Sequence, residues 1–100
     1  MDAADRLALE SRWLRLTREV LPALAPERGW PVRYDHCFQR ILLDHACGGR
    51  WYDAIGGRPA YRAADAAILR RAVALGEEVA AGTTDLHRLN RQSLAWRGRA

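Results

Sequence analysis

Residues 34–47 read YDHCFQRILLDHAC, and Gly48-Gly49 follow at once. At 3.6 residues per turn, Tyr34, Cys37, Phe38, Ile41, Leu42 and His45 share one arc of a helix. His36, Arg40, Leu43, Asp44 and Cys47 share the opposite arc. A surface helix sets one apolar stripe against one charged face. Here the second arc is a thin polar file, His36–Arg40–Asp44, edged by Leu43 and Cys47. The pattern predicts a helix packed on both sides, capped at its start by Asp35 and stopped by the two glycines. The i, i+4 spacing pairs Arg40 with Asp44. Two roles fit the file: an ion pair that orients the helix against its neighbours, or polar lining for a pocket between helices. Either requires a partner for Arg40, because a buried, unpaired guanidinium is costly. A carboxylate ligand can share it with Asp44, since guanidinium grips such groups bidentately.

Upstream, residues 2–24 form a long amphipathic pattern. Leu7, Leu9, Trp13, Leu14, Leu16, Val20, Leu21 and Leu24 cover nearly half the wheel, with Arg12, Arg15, Arg18 and Glu19 opposite. Pro22 is expected to end or bend this helix. Residues 25–33, APERGWPVR, connect it to the central one. Downstream, residues 48–62 read GGRWYDAIGGRPAYR. Two Gly-Gly pairs and Pro59 bracket a short helical turn over 51–55. Loops of this length in a small helical domain are often functional. This one gathers Arg50, Trp51, Tyr52, Arg58 and Tyr61, a mixture of arginine and aromatic rings that suits a planar or anionic ligand. A lid whose rings simply pack on the core is the plainer alternative.

A further helix is expected over 63–81, with Ile68, Ala72, Leu75 and Val79 as its stripe and Gly76 permitting close approach of a neighbour. Thr83 or Thr84 caps a last helix that runs to about Trp96, on which Leu86, Leu89, Ser93 and Trp96 face inward. The fold is therefore all-α: a compact bundle of about four helices with a short extra turn in the 48–62 loop. One hundred residues make a single domain, 1–100, with a core of ordinary size.

All 16 basic residues are arginine, so Schiff-base lysine chemistry and a P-loop lysine are excluded. Residues 1–85 hold twelve arginines and all twelve acids; the net charge of +4 comes from Arg88, Arg91, Arg97 and Arg99. That basic end, 86–100, raises weak nucleic-acid contact as an alternative function. No apolar run approaches the roughly 20 residues of a membrane span, and no signal segment opens the chain. A cytoplasmic protein is expected. Cys37 and Cys47 lie about 15 Å apart along one helix, beyond disulfide reach, and are read as free thiols.

The remaining chemistry is weak. His36 and Cys47 share an arc but stand about 16 Å apart along it; only Asp44 and Cys47, at i, i+3, can meet one ion together, and zinc then requires further ligands, such as His87 if the last helix packs there. His45 is about 12 Å from Cys37, too far to activate it. Neither Gly-Gly pair has a phosphate-loop spacing. No catalytic residue, cofactor or metal ligand is assigned.

The pieces YDHCFQRILLD (34–44), GRWYDAI (49–55), RPAYR (58–62), RAVALGE (71–77) and LNRQSLAWRG (89–98) resemble a set of small bacterial proteins of about this length. Some of these are labelled as similar to GNAT N-acetyltransferases. The Arg/Gln-x-x-Gly-x-Gly/Ala loop that holds coenzyme A in GNAT enzymes is absent, so the resemblance carries no catalytic residue over. It does place weight on residues 34–62. The reading is a small non-catalytic binding module, monomeric or homodimeric, that holds a small anionic or planar ligand or a protein partner. Its expected lining is His36, Arg40, Asp44, Trp51, Tyr52 and Arg58. A subunit of a larger assembly is a second alternative.

Overall fold

Three of the longer helices begin where an aspartate side chain accepts from a free backbone amide. In the computed structural model, which describes residues 1–99, Asp2 accepts from the Asp5 amide at 2.9 Å and opens α1, Ala3–Arg15. After a five-residue π segment, Leu16–Val20, comes α2, Leu21–Arg28. The central helix α3 spans Asp35–Cys47, and a single 3-10 turn, Trp51–Asp53, follows it. A four-residue α4, Ala60–Ala63, precedes α5, Ala66–Ala81, which Asp65 caps by accepting from the Ile68 amide at 2.8 Å. Last is α6, Leu86–Trp96. The described residues contain no strand, and the all-helical expectation holds.

Four local expectations shift. The first helix is not ended by Pro22. Proline lacks the N–H that would close a regular turn, and the chain absorbs the defect by widening one turn: the Leu21 amide bonds to the Leu16 carbonyl, five residues back. Helical structure then continues to Arg28 and stops at Gly29, whose φ of 61° is the left-handed conformation that glycine adopts freely. Asp35 is the first residue of α3 rather than its cap, and Tyr34 holds the extended cap position. Asp85, not Thr83 or Thr84, caps α6 by accepting from the His87 amide. The 48–62 loop carries two short helical turns instead of one.

The core forms where α3 is enclosed by α5, α6 and the π segment. Phe38, Ile41, Leu42 and Leu43 of α3 meet Trp13, Leu16 and Leu21 from the first long stretch and Leu69, Val73 and Val79 from α5. Burial on both arcs of α3 matches its expected two-sided packing, with Leu43 buried and Asp44 enclosed as fully as Phe38. Two residues on the apolar arcs stay outside: Leu7 is 64% exposed and Tyr34 67%. Arginine forks tie the elements together at their carbonyl-rich ends. Arg28 donates to the carbonyls of Val79 and Ala80, both at 2.8 Å, and Arg71 to that of Ala46. Arg6 binds the carbonyls of Tyr61, Arg62 and Ala64, which fastens the end of the loop to α1. These are charge-assisted contacts to carbonyls near helix C-termini.

Gly76 sits where α5 crosses the π segment. A Cβ there collides with the Leu16 side chain and lies 3.0 Å from Leu42 Cδ1. Alanine raises helix propensity by about 1 kcal/mol, but overpacking a closed core costs about 1–3 kcal/mol. Both neighbours are buried, so the steric term prevails. Gly76→Ala is expected to lower Tm by roughly 4–8 °C, the effect of about 1 kcal/mol in a domain of this size. A thermal melt at or above that of the parent protein contradicts the close-packed crossing.

Candidate functional site

The polar file on α3 is organised by α6. Asp44 is completely buried, yet its carboxylate accepts four hydrogen bonds. Arg97 donates two of them, from Nε at 2.8 Å and from a terminal nitrogen at 2.9 Å. Ser93 Oγ donates at 2.7 Å, and the Trp51 amide at 2.9 Å. The expected Arg40–Asp44 pair is therefore replaced by Asp44–Arg97. Arg40 instead donates to Ser93 Oγ and to Asn90 Oδ1, both at 2.7 Å. Ser93 thus links the two α3 residues, accepting from Arg40 while donating to Asp44. The hydrogen bonds that Arg97 donates to Asp44 hold its guanidinium above its ordinary pKa, whereas burial and then the nearby Arg97 charge pull Arg40 below its own.

A groove lies over this network. It has a volume of about 270 Å³ and is lined by His36, Gln39, Arg40, Leu43 and Trp51, with the 58–60 segment as its far wall. Four of the six expected lining residues meet there: His36, Arg40, Trp51 and Arg58. Asp44 does not line it; it lies beneath, anchoring the floor through Ser93 and the wall through the Trp51 amide. Tyr52 faces an adjoining hollow of about 380 Å³, bounded by Trp51, Ile55, Gly56, Gly57 and Arg58. Trp51 and Arg58 border both spaces, and the Arg58 guanidinium stands 5.0 Å from the Trp51 ring centre. That separation is within cation–π range and holds Arg58 over the ring.

Among the described residues, no acidic side chain lines either space. The floor cation, Arg40, is half-buried, positioned by two neutral acceptors, and forms no salt bridge among the described residues. His36 is exposed at the rim, where its ring stacks on Tyr34 at 5.8 Å and lies beside Asp35. Gln39, a further lining residue that the sequence reading did not single out, is fixed by donating to the buried Thr17 hydroxyl at 3.0 Å.

The basic end is divided by the fold. Arg88, Arg91 and Arg99 are exposed, while the Arg97 side chain is only 13% exposed and committed to Asp44. The sequence pattern does not single out Asn90, Ser93 and Arg97 as partners of the α3 file, although their i, i+3, i+7 spacing sets Asn90 and Ser93 on one face of α6 in line with Arg97 at its C-terminal cap. Among the described residues no three His, Cys, Asp or Glu side chains converge on a metal position. Cys37 and Cys47 are free. Burial, followed by the Asp44 charge, pushes the Cys47 thiol up. Its thiolate fraction at pH 8 is expected to fall below that of an unstructured cysteine, and iodoacetamide to label it more slowly. Peptide mass mapping over time checks this; labelling at the free-thiol rate contradicts the buried setting. Among the described residues no helix is long and apolar enough to cross a membrane. Compared with known family models, curated proteins and solved structures, the chain matches none.

Proposed function

We propose that this chain is a small, non-catalytic binding module of the cytoplasm, monomeric or homodimeric, that takes a small anionic ligand into the groove between α3 and the 48–62 loop. The observation that carries this reading is Arg40. Its guanidinium is half-buried, aligned by Asn90 and Ser93, and lacks a carboxylate partner on a groove without acids. A desolvated cation held in place in this way favours an anion from solution, and little ordering remains to be done on binding. Trp51 and Leu43 supply the apolar walls that a small-molecule site requires. The volume lies near the lower end for ligand pockets, which limits the occupant to a small molecule.

Native mass spectrometry of the protein purified from its own host, with no ligand added, tests the proposal. A co-purifying small anion that is lost in Arg40→Gln is the expected result. A bare chain or bare symmetric dimer in both proteins overturns tight ligand binding and leaves partner binding as the better account.

A further inference from the structure

Four guanidiniums gather around Trp51 and Tyr52, and their pairing is unequal. Arg97 stands 5.2 Å from the Tyr52 ring centre and is neutralised by Asp44. Arg50 stands 5.6 Å from the same ring and is neutralised by Asp53 at 2.8 Å. Arg40 and Arg58 form no salt bridge among the described residues, and both border the 270 Å³ groove. One of these cations is in the floor and the other is held over Trp51 at the wall. His36 adds a further donor at the rim.

From this charge balance we infer that the ligand of the groove is a small phosphate monoester. Its phosphoryl group is held by Arg40 and Arg58, and its organic part crosses Trp51 into the hollow beside Gly56 and Gly57. The inference rests on the anion-binding reading above and sharpens it. A carboxylate brings one negative charge to two uncompensated guanidiniums. A phosphate monoester brings about 1.5–2 at pH 7, with three acceptor oxygens that can engage two separate forks. The hollow gives the ester group somewhere to go. It adjoins the groove through Trp51 and Arg58, carries no acid, and has open space above Gly56, where an added Cβ meets nothing within 4 Å.

Titration of the full-length protein with phenyl phosphate, inorganic phosphate and benzoate, followed by calorimetry, tests this. Phenyl phosphate is expected to bind tightest, inorganic phosphate next and benzoate weakest. Because Arg58 is exposed, Arg58→Gln is expected to keep the parent melting curve. It should still weaken both phosphates by about tenfold, the effect of one charge-assisted contact, and benzoate far less. Benzoate binding as tightly as phenyl phosphate, or phosphate affinity untouched by Arg58→Gln, overturns the phosphoryl assignment while leaving an anion site in place. Failure of all three probes to bind removes the anion site as well, and the inference with it.

Discussion

Replacing Asp44 with alanine is expected to reduce the unfolding free energy by about 3–5 kcal/mol, the cost of stranding one member of a buried ion pair. Asp44 is fully enclosed and accepts from Arg97 twice, from Ser93 and from the Trp51 amide. Its loss leaves the Arg97 guanidinium, only 13% exposed, without a counter-charge. It also removes the acceptor that holds the start of the loop against α3. Small domains have about 5–15 kcal/mol in all, so the variant is expected near the edge of folding at 25 °C. Asp44→Asn should recover little, because a neutral amide still leaves the Arg97 charge uncompensated. Urea denaturation of Asp44→Ala, Arg97→Ala and the double variant measures the pair directly. The double variant is expected to be much less destabilised than the two singles summed, since it leaves no unpaired charge. Additive losses, or a cost below about 1 kcal/mol for Asp44→Ala, mean that the pair behaves like a surface contact and that the described network is wrong.

The same network shows what the sequence could and could not disclose. Helical periods, glycine stops and the two-sided pattern of α3 are local properties, and they identified an all-helical bundle with α3 at its centre. The groove was legible for a similar reason. His36 and Arg40 lie one turn apart on α3, and Trp51 and Arg58 sit in the loop that must return past that face. What stayed hidden depends on tertiary contact. Arg40 and Asp44 are well spaced for an ion pair, but α6 and its C-terminal cap bring Asn90, Ser93 and Arg97 across from about 50 residues away in the chain, and the Arg97 fork takes the carboxylate. Arg97 therefore reads as surface charge, although its side chain is mostly enclosed and committed to Asp44. Pro22 does not end the helix, since a π turn can carry it past a missing donor. Leu7 and Tyr34 fall on apolar arcs yet face solvent, because periodicity assigns a face without showing where the neighbouring elements end.

Arg40→Ala is expected to weaken ligand binding by roughly a hundredfold and to lower stability by about 1–3 kcal/mol. The two losses have separate origins. Stability falls because Asn90, only 8% exposed, and the buried Ser93 each lose the donor that Arg40 supplied at 2.7 Å. Binding falls because the floor of the groove loses its one aligned cation, leaving Arg58 and His36 at the periphery. Arg40→Lys separates the contributions. An ammonium keeps the charge but is a point donor on a flexible stem, without the planar fork that reaches Ser93 and Asn90 together. It is expected to retain part of the stability and to bind phenyl phosphate at an affinity between parent and alanine variant. Arg91→Ala is the control: Arg91 is exposed on α6 and lines neither the groove nor the hollow, so both stability and binding should stay at parental values. A parent-like Arg40→Ala in both measurements sinks the site outright. Destabilisation with unchanged affinity assigns Arg40 to the scaffold alone, and the anion site would then have to be sought around Arg58. Equal losses from Arg91→Ala and Arg40→Ala would mean that binding follows net charge rather than the groove, which is how a diffuse basic surface behaves towards nucleic acid.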